Sequence, residues 1–239
     1  MNIYTRWIFP RLIDWAMRDR EVAEIRKSLI SHAYGRVLDV GVGSGLNLPL
    51  YPDAVEHITG LDPSRELLSR AARQRSRRPV RLIQAAAEAI PLAAESVDTV
   101  VMTWTLCSIP DPWCALREMR RVLRPDGQLL FAEHGLAPEA HIARWQHRLD
   151  PLWARLSCHL DRDMDDLIRG SGFRITEIET GYLDRGPKPL TFMYRGRARP
   201  ASYGGSEDGV ADVAPLDLPT MGMPICRGTT DPSSGSAAS

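Results

Sequence analysis

Val37-Leu38-Asp39-Val40-Gly41-Val42-Gly43-Ser44-Gly45 carries the chain's most chemically pointed spacing. Strand-forming residues run into a bend with glycine at every second position. Such a bend turns tightly and lets a ligand reach backbone N–H groups with no Cβ in the way. A second acid, Asp62, ends the apolar stretch Ile58-Thr59-Gly60-Leu61, followed by Pro63-Ser64. A carboxylate at the carboxyl end of the next strand is placed to accept hydrogen bonds from a ribose diol. The spacing is not that of a dinucleotide site, which needs G-x-G-x-x-G and seats a pyrophosphate on a helix N-terminus. Here it is G-x-G-x-G, and Asp39 lies two residues before the first glycine. A carboxylate there repels pyrophosphate and suits a cationic ligand.

This pattern resembles the class I S-adenosylmethionine-dependent methyltransferases, whose cofactor carries a sulfonium and an ammonium and no phosphate. The resemblance continues in order through Ala86-Ala87-Glu88-Ala89-Ile90-Pro91-Leu92, Ser96-Val97-Asp98 and Arg120-Arg121-Val122-Leu123-Arg124-Pro125-Asp126-Gly127. It spans residues 36–135 and extends to about 196. It implies S-adenosyl-L-methionine as cofactor. Gly41, Gly43 and Gly45 would form the bend at the methionine moiety, with Asp39 orienting its ammonium. Asp62 would hold both ribose hydroxyls, a charge-assisted bidentate contact. Pro63 and Ser64 would border the adenine, Ala87 and Glu88 its other side, and Thr103 would lie beneath the cofactor. Many members carry aspartate where this chain has Ala86, so backbone amides or Glu88 must read the adenine instead.

On the acceptor side, Trp104, Leu106, Cys107, Ser108 and Ile109 follow the fourth strand. Glu133-His134-Gly135 ends the fifth. Leu149-Asp150-Pro151-Leu152-Trp153 and Cys158-His159-Leu160-Asp161-Arg162 come later. This combination is similar to the branch that holds thiol S-methyltransferases. The implied acceptor is a small, apolar molecule, a thiol before a phospholipid amine, quinone or sterol. His134 and His159 are the candidate bases, since imidazole titrates near neutral pH, and Asp161 is a candidate partner for His159. Two other classes stay open: a nicotinamide dehydrogenase, and a non-catalytic module that binds cofactor.

Elements must position these groups. The 239 residues suffice for one α/β domain with a sizeable core. Apolar residues make up 44% and charged residues 25%; 30 Lys and Arg balance 30 Asp and Glu, which gives no argument for a nucleic-acid partner. Four cysteines and six histidines show no C-x-x-C or zinc spacing, so no metal is expected. No apolar run of ~18 residues predicts a membrane span.

Strands at 37–40, 57–61, 80–84, 97–102 and 128–133 alternate with helices at 64–75 and 113–123. A short helix begins at Leu46, and Arg124–Gly127 reads as a turn. Strands at 172–179 and 189–196 read as a closing hairpin. The expected fold is α/β: a doubly wound, mostly parallel, seven-stranded Rossmann-like sheet with an antiparallel C-terminal hairpin. Residues 1–30 read as an N-terminal helical cap and 31–198 as the methyltransferase domain. Within it, 138–170 is a helical insertion over the acceptor site. Residues 199–239, rich in Gly, Ser, Ala, Pro and Asp, read as a disordered tail. Apolar residues of 1–20 fall on one face, with Trp and Arg suited to an interface, so this segment reads either as a lid on the core or as a peripheral membrane contact. A cytoplasmic monomer is expected.

Overall fold

A computed structural model describes residues 19–154 and 158–201. The segment read as interfacial lies outside the described residues except for its last two, and so does the expected tail except for its first three.

Seven strands form one sheet in the order β3-β2-β1-β4-β5-β7-β6. They are β1 (Gly35–Val40), β2 (Val55–Asp62), β3 (Val80–Gln84), β4 (Val97–Thr103), β5 (Leu123–His134), β6 (Phe173–Tyr182) and β7 (Phe192–Pro200). The first five are parallel; β7 runs antiparallel to both β5 and β6. The doubly wound sheet with its antiparallel C-terminal hairpin is therefore present as expected.

The central strands are apolar on both faces, and their alternation sorts the core into two halves. Leu38, Val40, Val100, Met102, Leu129 and Phe131 point to one side, where they meet Leu116 and Met119 of helix α3 (Pro112–Val122). Val37, Val101, Leu130 and Ala132 point to the other, against Leu29 and Ile30 of α1 (Arg20–Ile30) and Leu68 and Ala71 of α2 (Arg65–Ala71). Caps fix the helix starts. Asp19, Ser64 and Asp111 each accept a backbone N–H of the first turn. Two helices follow β5: α4 (Ala140–Trp153) and α5 (Met164–Gly170). Gln146 anchors α4, accepting from the Ala137 N–H (2.8 Å) and donating to the carbonyls of Gly135 (2.9 Å) and Pro189 (3.1 Å).

Two local expectations change. The segment Arg124–Gly127 does not precede β5 as a turn but lies inside it: Leu123 pairs with Val97, the next pair is Gln128 with Thr99, and the residues between bulge out. The helix expected at Leu46 is a single 3-10 turn, Leu48–Leu50, with Pro49 inside it and Pro52 just beyond.

Candidate functional site

The sheet order reverses direction between β1 and β4, and a crevice opens there at the carboxyl ends of the strands. It holds a cavity of about 570 Å³. Gly41, Gly43, Asp62, Pro63, Ser64, Ala87, Glu88 and Thr103 all line it, joined by Ala86. Asp39 and Gly45 do not.

The glycine bend is left-handed at all three glycines: φ is +67° at Gly41, +54° at Gly43 and +82° at Gly45. A Cβ on Gly41 would stand 2.3 Å from the Thr105 side chain, whereas one on Gly43 would meet only a backbone oxygen at 3.8 Å. The bend is therefore closed behind Gly41 and open at Gly43. Gly45 serves packing instead, since a Cβ there would press on Leu48 and on Ala71 of α2.

Asp62 ties the bend to the next loop. Its Oδ2 accepts from the Gly43 N–H (3.0 Å) and its Oδ1 from the Ser64 N–H (2.8 Å). Burial raises its pKa, and these two donors oppose the rise. Each oxygen keeps a second lone pair for a diol at the cavity wall.

Asp39 lies behind the wall, fully buried, where burial pushes its pKa up to about 7. Asn47 stands in front of it. The amide Nδ2 donates to both Asp39 oxygens (3.1 Å each) and to Thr103 Oγ1 (3.2 Å). Among the described residues the buried amide oxygen of Asn47 has no hydrogen-bond partner, and Asn47 lines the cavity. Arg26 of α1 lines the same end, acts electrostatically on Asp39, and stacks over the Trp104 ring with its guanidinium carbon 5.1 Å from the centroid.

The adjoining wall is the turn after β4. Trp104 is left-handed at φ +50°, a conformation that strains a bulky residue. Two bonds hold it: its N–H donates to the Ala132 carbonyl (2.8 Å), and the next N–H, of Thr105, donates to both Glu133 oxygens (2.8 and 3.0 Å). Glu133 is fully buried, and burial raises its pKa to about 7. Ser108, Ile109 and Pro110 continue the wall.

The two candidate bases lie elsewhere. His134 ends β5, paired with Met193 of β7 and buried; burial holds its pKa below the usual value, with the Pro189 carbonyl opposing. His159 donates its backbone N–H to the Cys107 carbonyl (2.8 Å), and its Nδ1 meets Asp150 Oδ2 at 3.0 Å. Neither lines the cavity. Asp161 pairs with His147 (2.9 Å) rather than with His159. Arg26, Asn47 and Thr105 were not singled out from sequence. Asn47 carried a signal, being a polar side chain two residues past the bend. Arg26 and Thr105 carried none, because only tertiary contact brings them to the bend.

The donor set fits an aminoacyl nucleoside: a carboxylate for the sugar, an unsatisfied amide oxygen for the ammonium, a guanidinium beside it, and a glycine with open space. A doubly wound sheet with this set at its switch point is an architecture that seats nucleotide-type ligands. The methyltransferase domain family matches residues 38–131. Thiol S-methyltransferase TMT1B is 34% identical in Homo sapiens over 174 residues, covering 69% of each chain. In Rattus norvegicus it is 35% identical over 151 residues, 60% of this chain and 62% of that protein. The phosphatidylethanolamine N-methyltransferase of Cereibacter sphaeroides is 33% identical over 158 residues, 62% of this chain and 77% of that protein. A solved structure from Thermotoga maritima, described as a SAM-dependent methyltransferase and possible histamine N-methyltransferase, aligns with TM-score 0.60 at 24% identity, over 83% of this chain and 98% of that one. The chain belongs to the class I S-adenosylmethionine-dependent methyltransferases.

Proposed function

We propose that this chain transfers a methyl group from S-adenosylmethionine to a small apolar acceptor, a thiol being the favoured class. The observation that carries the cofactor half is Asp62, fixed at the cavity wall by the Gly43 and Ser64 N–H groups with lone pairs left over. The acceptor half is supported by the apolar wall of Trp104, Ile109 and Pro110, and by the likeness to the thiol S-methyltransferases.

In this reading Asp62 holds the ribose hydroxyls, and Pro63 with Ala86, Ala87 and Glu88 encloses the adenine. The Asn47 amide oxygen accepts from the ammonium, with Asp39 fixing the amide from behind. Arg26 faces the carboxylate. When bound, the cofactor supplies an electrophilic methyl and its own leaving group, so the chain contributes alignment and a dry surface. Among the described residues no imidazole lines the cavity. A thiol, with an ordinary pKa near 8.5, is already partly ionised at neutral pH, so its proton is assigned to water rather than to His134 or His159. A monomer suffices, because one chain supplies every group named.

Phospholipid amines are the second reading, supported by the likeness to the Cereibacter enzyme. Under that reading residues 1–20 are the natural membrane contact. The test is transfer of labelled methyl from S-adenosylmethionine to a panel of small aryl and alkyl thiols, phenols, amines, and vesicles containing phosphatidylethanolamine. The proposal expects thiol turnover, faster for apolar thiols than for charged ones. Turnover confined to the vesicles would replace it with the second reading, and no turnover of any acceptor would remove it.

A further inference from the structure

Helix α4 and the segment before α5 bring four ligand-type side chains together, away from the cavity. His147 and Asp150 lie three apart on α4 and so share a face. His159 and Asp161 lie two apart on the irregular segment that precedes α5. Ligand atoms of Asp150, His159 and Asp161 all lie within 4.8 Å of one another. The edge of a tetrahedral zinc site is about 3.4 Å, given bonds of ~2.1 Å, so small side-chain shifts close the set around an ion.

The partners behind these ligands point the same way. Asp150 Oδ1 accepts from the Leu160 N–H at 2.7 Å, which leaves Oδ2 turned to the cluster. Asp161 Oδ2 is met by His147 Nδ1 at 2.9 Å, the arrangement that orients a ligating carboxylate from outside. Arg162, next along the segment, acts electrostatically on both carboxylates while one of its guanidinium nitrogens donates to the Leu106 carbonyl.

We propose that Asp150, His159 and Asp161 form a binding site for a divalent transition metal of the zinc type, with His147 orienting Asp161 from behind. The site is open to solvent: the side chains of His159 and Asp161 are 40% and 29% exposed. Its place gives it a structural effect. An ion there pins α4 to the segment whose next contacts are the carbonyls of Cys107 (from the His159 N–H) and Leu106 (from Arg162). Those residues lead directly into Ser108 and Ile109 of the cavity wall. The metal thus braces the acceptor side without touching the reacting atoms.

The test uses the full chain, stripped with chelator and titrated with Zn²⁺ by calorimetry, with Co²⁺ as a visible-absorbing probe. One equivalent is expected to bind, with a Co²⁺ spectrum of nitrogen and oxygen ligation and no thiolate charge-transfer band. His159→Ala and Asp161→Asn should each weaken binding 100-fold or more, and His147→Ala roughly tenfold. Cys158→Ser should leave it unchanged. Circular dichroism and thermal unfolding establish that each variant is folded. The wild-type Co²⁺ spectrum needs no variant at all. No stoichiometric uptake by the wild type overturns the proposal. So does uptake indifferent to His159→Ala and Asp161→Asn, or a thiolate spectrum abolished by Cys158→Ser.

Discussion

Asp39 and Asp62 bear the same functional group and end neighbouring parallel strands, yet they do different work. Asp62 faces the cavity; Asp39 faces the back of Asn47. The difference appears in pH. The Asp39 carboxyl, at about 7 in the folded chain, is mostly protonated at pH 6, whereas a bound ammonium on Asn47 favours the carboxylate. Binding must then expel a proton at low pH and none at high pH. Affinity for S-adenosylhomocysteine should therefore rise between pH 6 and 8 and level off above, and calorimetry across that range should show the rise flattened in Asp39→Asn. A Gly41→Ala change acts through sterics instead. Its Cβ has no room beside Thr105 and its backbone is left-handed, so it should lower thermal stability by about 1–3 kcal/mol and weaken cofactor binding in the same variant.

At the scale of elements, the turn after β4 is the strained piece, and Glu133 at the end of β5 is its clamp. Burial raises the folded pKa of Glu133 to about 7, above the unfolded value near 4.3. The folded chain holds that proton longer, so this group's contribution to stability falls as pH rises from about 4 to about 7 and is level beyond. Asp39 adds a decline in the same window. Thermal unfolding at half-unit steps from pH 5 to 8 should show a shallower decline in Glu133→Gln than in the wild type, and a shallower one again with Asp39→Asn added. An unchanged slope would mean that neither carboxyl is buried in its acidic form.

Elements were the most legible part of the sequence. β1 and β4 are apolar on both faces, a pattern only a strand covered on two sides needs, and Ser64 before the α2 stretch gave the helix its start. The bulge at Arg124–Gly127 was hidden because Pro-Asp-Gly reads equally as a turn or as a loop out of a strand. In the site, the groups on the bend and at strand ends were readable because local backbone needs dictate them. Arg26 was not, since it reaches the bend only when α1 packs against the sheet. The pairing of His159 with Asp150, where Asp161 was expected, depends on the path of the segment between α4 and α5, which no local pattern sets.

For the whole molecule, charge and surface give few constraints. The formal net charge is zero, and among the described residues no helix is long and apolar enough to cross a membrane. The relation between the cavity and its acceptor is where the two proposed chemistries part. A thiol acceptor deprotonated by water should give a rate that rises with pH along the thiol's own ionisation. The expectation is checked by pH–rate profiles for two thiols of different acidity. The profile should shift with the thiol, and His159→Ala should leave its midpoint in place; a midpoint that follows the variant and not the thiol would assign His159 as the base.

Every role given to the cavity depends on a nucleoside sugar being held by Asp62. The direct measurement is calorimetric titration of S-adenosylhomocysteine into the wild type and into Asp62→Ala. Hydrogen bonds to a charged group are worth about 1.5–3 kcal/mol each, so the wild type should bind one equivalent and the variant at least tenfold more weakly, with its fold intact by circular dichroism. Equal affinity in the two proteins, or no binding by the wild type, would contradict the account.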